Sequence, residues 1–238
     1  MISRFRKSED VVKTTINWLT PVSILAGIML CVAQYFIWIY APVEMTMGPV
    51  QKIFYPHIGL AWWSLFSFLV VCVAGIGFLV RRTPFWDHLG GAAAEVGVLF
   101  AGLALVLGML WGKASWGVWW TWDPRLTTTL VMWFVYCGYL VLRSSGMGGE
   151  RRATVTAVVG IVAFLDVPLV FLSARMWRSI HPSIFKREGG GLEPEMLTTM
   201  FVCLAAFGLL WLAVTAFRAR QLGQAERLDA VARAASDA

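Results

Sequence analysis

Six long runs of predominantly apolar residues divide this 238-residue chain. A helix needs about 20 such residues to cross the hydrocarbon core of a bilayer. The runs lie at 20–40, 58–80, 91–111, 126–142, 153–173 and 195–217. They predict an all-α integral membrane protein, a bundle of six transmembrane helices. We expect one six-span domain over residues 1–218, followed by a polar tail at 219–238.

The composition agrees with the membrane class. Hydrophobic residues make up 58% of the chain and charged residues only 14%, against about 25% charged residues in soluble domains. The net charge of +6 is typical of a chain that meets anionic lipid headgroups. We therefore expect contact with membrane lipid and no binding of nucleic acid.

The distribution of cations predicts the orientation of the bundle. One side would hold both termini and the connections 81–91 and 143–152, with thirteen of the twenty Lys and Arg residues. The other side would hold the remaining seven, in longer and more aromatic connections. Because cytoplasmic loops carry the excess of Lys and Arg, both termini are predicted to be cytoplasmic. The tryptophan-rich connection then forms an outer loop.

That outer connection contains the stretch SWGVWWTWDPRL at 115–126, which we call the WWD stretch. Its four tryptophans are Trp116, Trp119, Trp120 and Trp122. Anchoring at the membrane interface explains one or two tryptophans per helix end, but not four in seven positions. If the stretch were helical, residues 116, 119 and 120 would share a face. Such a face is a flat apolar surface suited to a planar aromatic ligand.

The end of the WWD stretch reads as a helix start. Asp123 is a preferred N-cap residue and Pro124 a preferred first helical residue, so Asp123 is predicted to cap the fourth span. A second role in orienting the indoles stays open. Arg125 would lie in the first turn, where the helix dipole disfavours a cation. An anionic ligand nearby would offset that cost.

Two histidines are placed alike on either side of the WWD stretch. His57 begins the second span and His181 lies in the last outer connection. Each alone reads as an amphipathic residue at the interface, but two on the same side indicate a shared ligand. Imidazole is a common axial ligand of haem iron, and haem is planar and carries two carboxylates. Arg178, like Arg125, suits the anionic groups of such a ligand.

The segment WGVWWTWDPRLT resembles the WWD motif, WGxWWxWDxRLT, of a family of haem-handling membrane proteins. The family includes cytochrome c maturation proteins C and F and the synthase subunit of a second maturation pathway (CcmC, CcmF and CcsA). A chain of this length, with six spans and one histidine on each side of the motif, is similar to the maturation protein C (CcmC) branch.

The resemblance implies a haem-delivery protein of the bacterial inner membrane, with a site that faces the periplasm, and no enzymatic activity. Haem b would be a transient cargo, with His57 and His181 as axial ligands of the iron. The four tryptophans and Asp123 match the motif, and Arg125 matches the basic residue that would meet a propionate. The implied partners are a CcmE-like periplasmic haem chaperone, CcmA- and CcmB-like ABC transporter subunits, and a small single-span CcmD-like subunit.

Two other functions remain open from the residues alone. A b-type cytochrome that transfers electrons would hold haem between histidines at mid-span, and no histidine lies there. A haem-free permease or scaffold subunit of an ABC transporter is the second alternative. The chain has no GxxxxGK[ST] sequence, so it is not the ATPase of such a transporter.

Overall fold

A computed structural model describes residues 18–177 and 192–236, and His181 and Arg178 lie outside these ranges. The described residues form seven α-helices and no β-strand. A π-helical turn extends α1, and a 3-10 turn precedes α2. The helices are α1 Leu19–Tyr35, α2 Phe54–Arg81, α3 Pro84–Trp116, α4 Pro124–Arg143, α5 Gly149–Ala163, α6 Asp166–Met176 and α7 Pro194–Ser236.

The six predicted spans are confirmed, and the protein is a multi-pass membrane protein. Six helical segments are long and apolar enough to cross a bilayer, with α5 and α6 forming one of them. The segments are Leu19–Tyr40, Pro49–Arg81, Pro84–Trp116, Pro124–Arg143, Gly149–Ser173 and Pro194–Ser236.

Two spans are much longer than predicted, the third and the last. The predicted extent of the connection 81–91 is wrong, because α3 already begins at Pro84, directly after the extended residue Thr83. Proline is favoured at this first helical position. The last span also continues as helix through the polar residues 219–236.

The helices α2 and α3 form the central pair of the bundle. The helix α7 packs against both of them and also against α1. The helices α4, α5 and α6 form a second group, in which α4 contacts α3 and α5 contacts α2. Small residues allow close approach: a methyl group added at Gly97 would lie 2.7 Å from Ser67 Cβ. Close packing at small residues is typical of membrane helices, whose association gains little from the hydrophobic effect.

The two ends of the bundle differ in chemistry. The tryptophan end holds the start of α2, the end of α3 and the start of α4. The opposite end holds the Asp87 cluster, in which the buried carboxylate of Asp87 meets Arg143 at 2.6 Å and Arg152 at 2.9 Å. These three side chains join α3, α4 and α5.

Candidate functional site

The WWD stretch is mostly not helical. The helix α3 ends at Trp116 because Gly117 adopts a left-handed backbone with φ of 77°, a conformation that glycine takes without strain. Residues 118–123 then run to the next helix without helical structure. The condition for three tryptophans on one helix face is therefore not met, and the flat surface expected from it is wrong.

The tryptophans instead surround a pocket between this loop and the end of α3. About 250 Å³ of empty space lies among these residues, part of it open to solvent. Trp116 lines the pocket from the end of α3, and Trp119 and Trp120 line it from the loop. Trp122 packs edge-to-face on Trp120 with ring centroids 5.9 Å apart. The outer rings are exposed, by 56% at Trp119 and 77% at Trp122. The lining residues are Gly108, Met109, Gly112, Trp116, Val118, Trp119, Trp120, Thr121 and Leu126.

The predicted cap of the fourth span is confirmed. Asp123 is buried, and its Oδ1 accepts a hydrogen bond from the Arg125 backbone N–H at 2.9 Å. Pro124 is the first residue of α4, as expected. The Arg125 side chain is half-buried and lies within the first turn of α4, one residue before the pocket-lining Leu126.

His57 lies in the first turn of α2, and its ring reaches across to α3. The Nδ1 atom is 2.9 Å from the backbone oxygen of Ala104. Because a carbonyl oxygen can only accept, Nδ1 carries the proton. In the neutral ring, the lone pair that a metal requires is then on Nε2.

Gly108 connects His57 to the pocket. It lines the pocket, and a methyl group added there would lie 3.3 Å from Cε1 of His57. The Trp111 ring, one turn further along α3, has its centroid 6.2 Å from that of His57. The structure therefore brings His57, Trp116, Trp119 and Trp120 to one end of α3. It does not place His181 or Arg178, which lie outside the described residues.

Three residues of this region were not predicted: Gly108, Trp111 and Thr121. Gly108 and Gly112 stand four residues apart just before the WWD stretch, and this spacing could have indicated a bare helix face. Three donor atoms here, Trp111 Nε1, Trp120 Nε1 and Thr121 Oγ1, are buried and make no hydrogen bond within residues 18–177 and 192–236.

The described residues contain no group of three or more His, Cys, Asp or Glu side chains that could hold a metal ion. A metal carried within a planar ligand needs only axial ligands, and a single imidazole already lies beside the pocket.

Comparison with known proteins gives a consistent family. A family model described as heme exporter protein C matches residues 1–233. The heme exporter protein C of Bradyrhizobium diazoefficiens is 34% identical over 176 residues, which cover 73% of this chain and 67% of the relative.

Two further relatives come from other organisms. A putative cytochrome c biosynthesis ccmC-like mitochondrial protein of Marchantia polymorpha is 31% identical, over 73% of this chain and 74% of its own. The heme exporter protein C of Escherichia coli is 28% identical, over 87% of this chain and 84% of its own. With a family match across almost its whole length, this chain belongs to the heme exporter protein C family.

Proposed function

We propose that this protein binds haem at the tryptophan end of its bundle and delivers it to a CcmE-like periplasmic haem chaperone for cytochrome c maturation. The observation that carries the proposal is the His57 imidazole, held by the Ala104 carbonyl at 2.9 Å and packed against the pocket-lining Gly108. The relatives named heme exporter protein C handle the same cargo according to their names.

The residues present fit haem. The pocket is apolar and aromatic, which suits a porphyrin, and its unpaired buried donors suit a ligand that also carries acceptor groups. Ligand pockets typically measure about 300–1,000 Å³. This pocket is much smaller and partly open, so it would take only one edge of the macrocycle. None of the four cysteines lies in a CxxCH sequence, so the cargo would be non-covalent haem b.

The second axial ligand in this proposal is His181. The helix α6, which precedes the segment that contains His181, ends at Met176. One turn before that end, the Ser173 hydroxyl lies 3.4 Å from that of Thr128 at the start of α4. On the other side of the segment, the described residues resume at Leu192, which packs in the same apolar cluster as Trp111. Both flanks are therefore at the tryptophan end, the same end as His57. Arg125 and Arg178 would contact the propionates.

The residues of the site have separate tasks. The Ala104 carbonyl fixes the tautomer of His57, and the indoles exclude water from the ligand edge. Asp123 caps α4 and so fixes the direction of the loop that carries Trp119 and Trp122. Since these two rings are more than half exposed, a ligand on them stays accessible to a receiving protein. This combination favours transient binding and transfer over enzymatic chemistry.

The proposal also includes a setting and partners. The tryptophan end would face the periplasm, in the bacterial inner membrane, since the opposite end carries the cations Arg81, Arg82, Arg151 and Arg152, and cytoplasmic loops carry the excess of such residues. CcmA- and CcmB-like ABC transporter subunits and a small CcmD-like subunit would complete the assembly.

The test is an absorption spectrum of purified protein, with chaperone loading measured in parallel. We expect His57→Ala and His181→Ala each to lose the wild-type haem spectrum and to load the chaperone poorly. His88→Ala is the matched control, because His88 lies at the opposite end, 2.6 Å from Glu226. Wild-type spectra and loading in both ligand variants would show that the axial assignment is wrong. Rapid quinol-linked reduction of the bound haem would instead favour a b-type cytochrome.

A further inference from the structure

Two neighbouring hydrogen-bond donors in the pocket wall lack acceptors. They are the indole Nε1 of Trp120 and the hydroxyl of Thr121, both shielded from solvent and without a hydrogen bond in the described part of the chain. Both residues line the pocket. Because buried polar groups are almost always paired in native proteins, two adjacent unpaired donors indicate a ligand group that accepts hydrogen bonds.

The rest of the pocket wall determines what kind of ligand carries that acceptor. The other lining residues are glycine, aliphatic or aromatic, and no lining side chain is charged. An apolar ligand edge with one acceptor group therefore matches the wall. A carboxylate fits this pair, since its oxygens can accept from both donors at once and a charged partner about doubles the strength of each bond. The half-buried Arg125, next to the lining residue Leu126, would balance its charge.

We propose that the Thr121 hydroxyl and the Trp120 indole N–H, beside Arg125, together hold one carboxylate of the haem cargo and make the pocket selective for the free acid. This inference rests on the proposed haem-binding function. Thr121 occupies a variable position of the WGxWWxWDxRLT pattern, so the motif itself assigns it no role. Its place in the pocket comes from the non-helical path of residues 118–123.

The experiment compares iron protoporphyrin IX with its dimethyl ester, which has the same ring and iron but no carboxylate. Dissociation constants are measured for purified wild-type protein and for Thr121→Val, which keeps the side-chain volume and removes the hydroxyl. We expect the wild type to prefer the free acid. The substitution should weaken binding of the free acid about tenfold and leave binding of the ester unchanged.

A matched control is Thr199→Val. Thr199 is fully buried, and its hydroxyl already donates to the Glu195 carbonyl at 2.8 Å in α7. This variant should keep the wild-type ratio of the two dissociation constants. A second variant, Trp120→Phe, retains an aromatic ring and removes the N–H, and it should also lower the preference for the free acid. It keeps the test valid if Thr121→Val does not fold.

The outcomes separate this inference from the proposed function. Equal affinities of the wild type for both porphyrins would overturn the inference, as would an unchanged ratio in the folded variants, which would assign the two donors to bound water. Neither result touches haem binding itself. The proposed function fails instead if the wild type binds neither porphyrin. It also fails if the His57→Ala variant binds both porphyrins as tightly as the wild type does.

Discussion

The Asp87 cluster gives a sharp prediction about stability. The Asp87 and Arg143 side chains are only 7% and 9% exposed, and their two hydrogen bonds measure 2.6 and 2.8 Å. Arg152 adds a third contact at 2.9 Å. The substitution Asp87→Asn keeps the shape of the carboxylate but removes its charge. Two guanidinium groups then share a partly buried site without a counter-ion.

The size of the effect follows from the burial. Two unit charges about 4 Å apart interact by about 4 kcal/mol at an effective dielectric constant near 20. Removing one partner of a buried pair typically costs about 3–5 kcal/mol, because the other charge stays desolvated. We therefore expect Asp87→Asn to lower the free energy of unfolding by about 3–5 kcal/mol.

A surface ion pair on the same side of the protein supplies the control. Arg82 and Glu150 are 3.8 Å apart, with side chains 48% and 78% exposed. Exposed pairs contribute about 0–1 kcal/mol, so Glu150→Gln should change the stability little. Both variants are compared by SDS titration in mixed micelles, with helical circular dichroism as the signal and refolding checked for reversibility. A loss below about 1 kcal/mol for Asp87→Asn would refute this account of the cluster.

Two further predictions concern the tryptophan end. Gly108→Ala adds a methyl group 3.3 Å from His57 Cε1 and should weaken haem binding by about 1–3 kcal/mol, as overpacking does. Gly112→Ala, where the same addition meets only ordinary contacts at 3.4 Å and beyond, should bind nearly as the wild type does; equal losses in spectroscopic haem titrations would contradict this. Asp123→Ala should lower the free energy of unfolding by about 1 kcal/mol through loss of the cap. Asp123→Asn should retain most of the stability that the cap contributes, because asparagine is also a preferred N-cap residue. SDS titration of both variants checks the difference.

The sequence was sufficient for the spans and for the start of α4. Long apolar runs predict membrane helices because the bilayer core contains no water to pair with backbone N–H and C=O groups. A helix pairs these groups within its own segment. The Asp123–Pro124 pair predicted its cap because capping depends only on neighbouring residues. The early start of α3 was missed because Asp87 and His88 read as polar loop residues. Their partners, Arg143 and Glu226, are distant in sequence.

For the candidate site, the sequence indicated residues that the structure brings together, but not the shape of the pocket. His57 and the tryptophans were identified from residue type and placement. The hydrogen bond that orients His57 joins it to a backbone atom 47 residues away, and no side chain at position 104 signals that contact. A sequence motif records side chains, so it does not indicate which backbone oxygen will accept a hydrogen bond.

The clearest difference lies in how the four tryptophans are displayed, and it changes how the site would work. A helical WWD stretch would stack its rings into one rigid face. Gly117 ends the helix instead, and the loop holds Trp120 against the pocket while Trp122 is 77% exposed. One part of the stretch can therefore grip the inner edge of a planar ligand while another part leaves the outer edge accessible. A protein that retained its haem would gain from enclosing it, whereas one that must surrender it to a partner needs this open side.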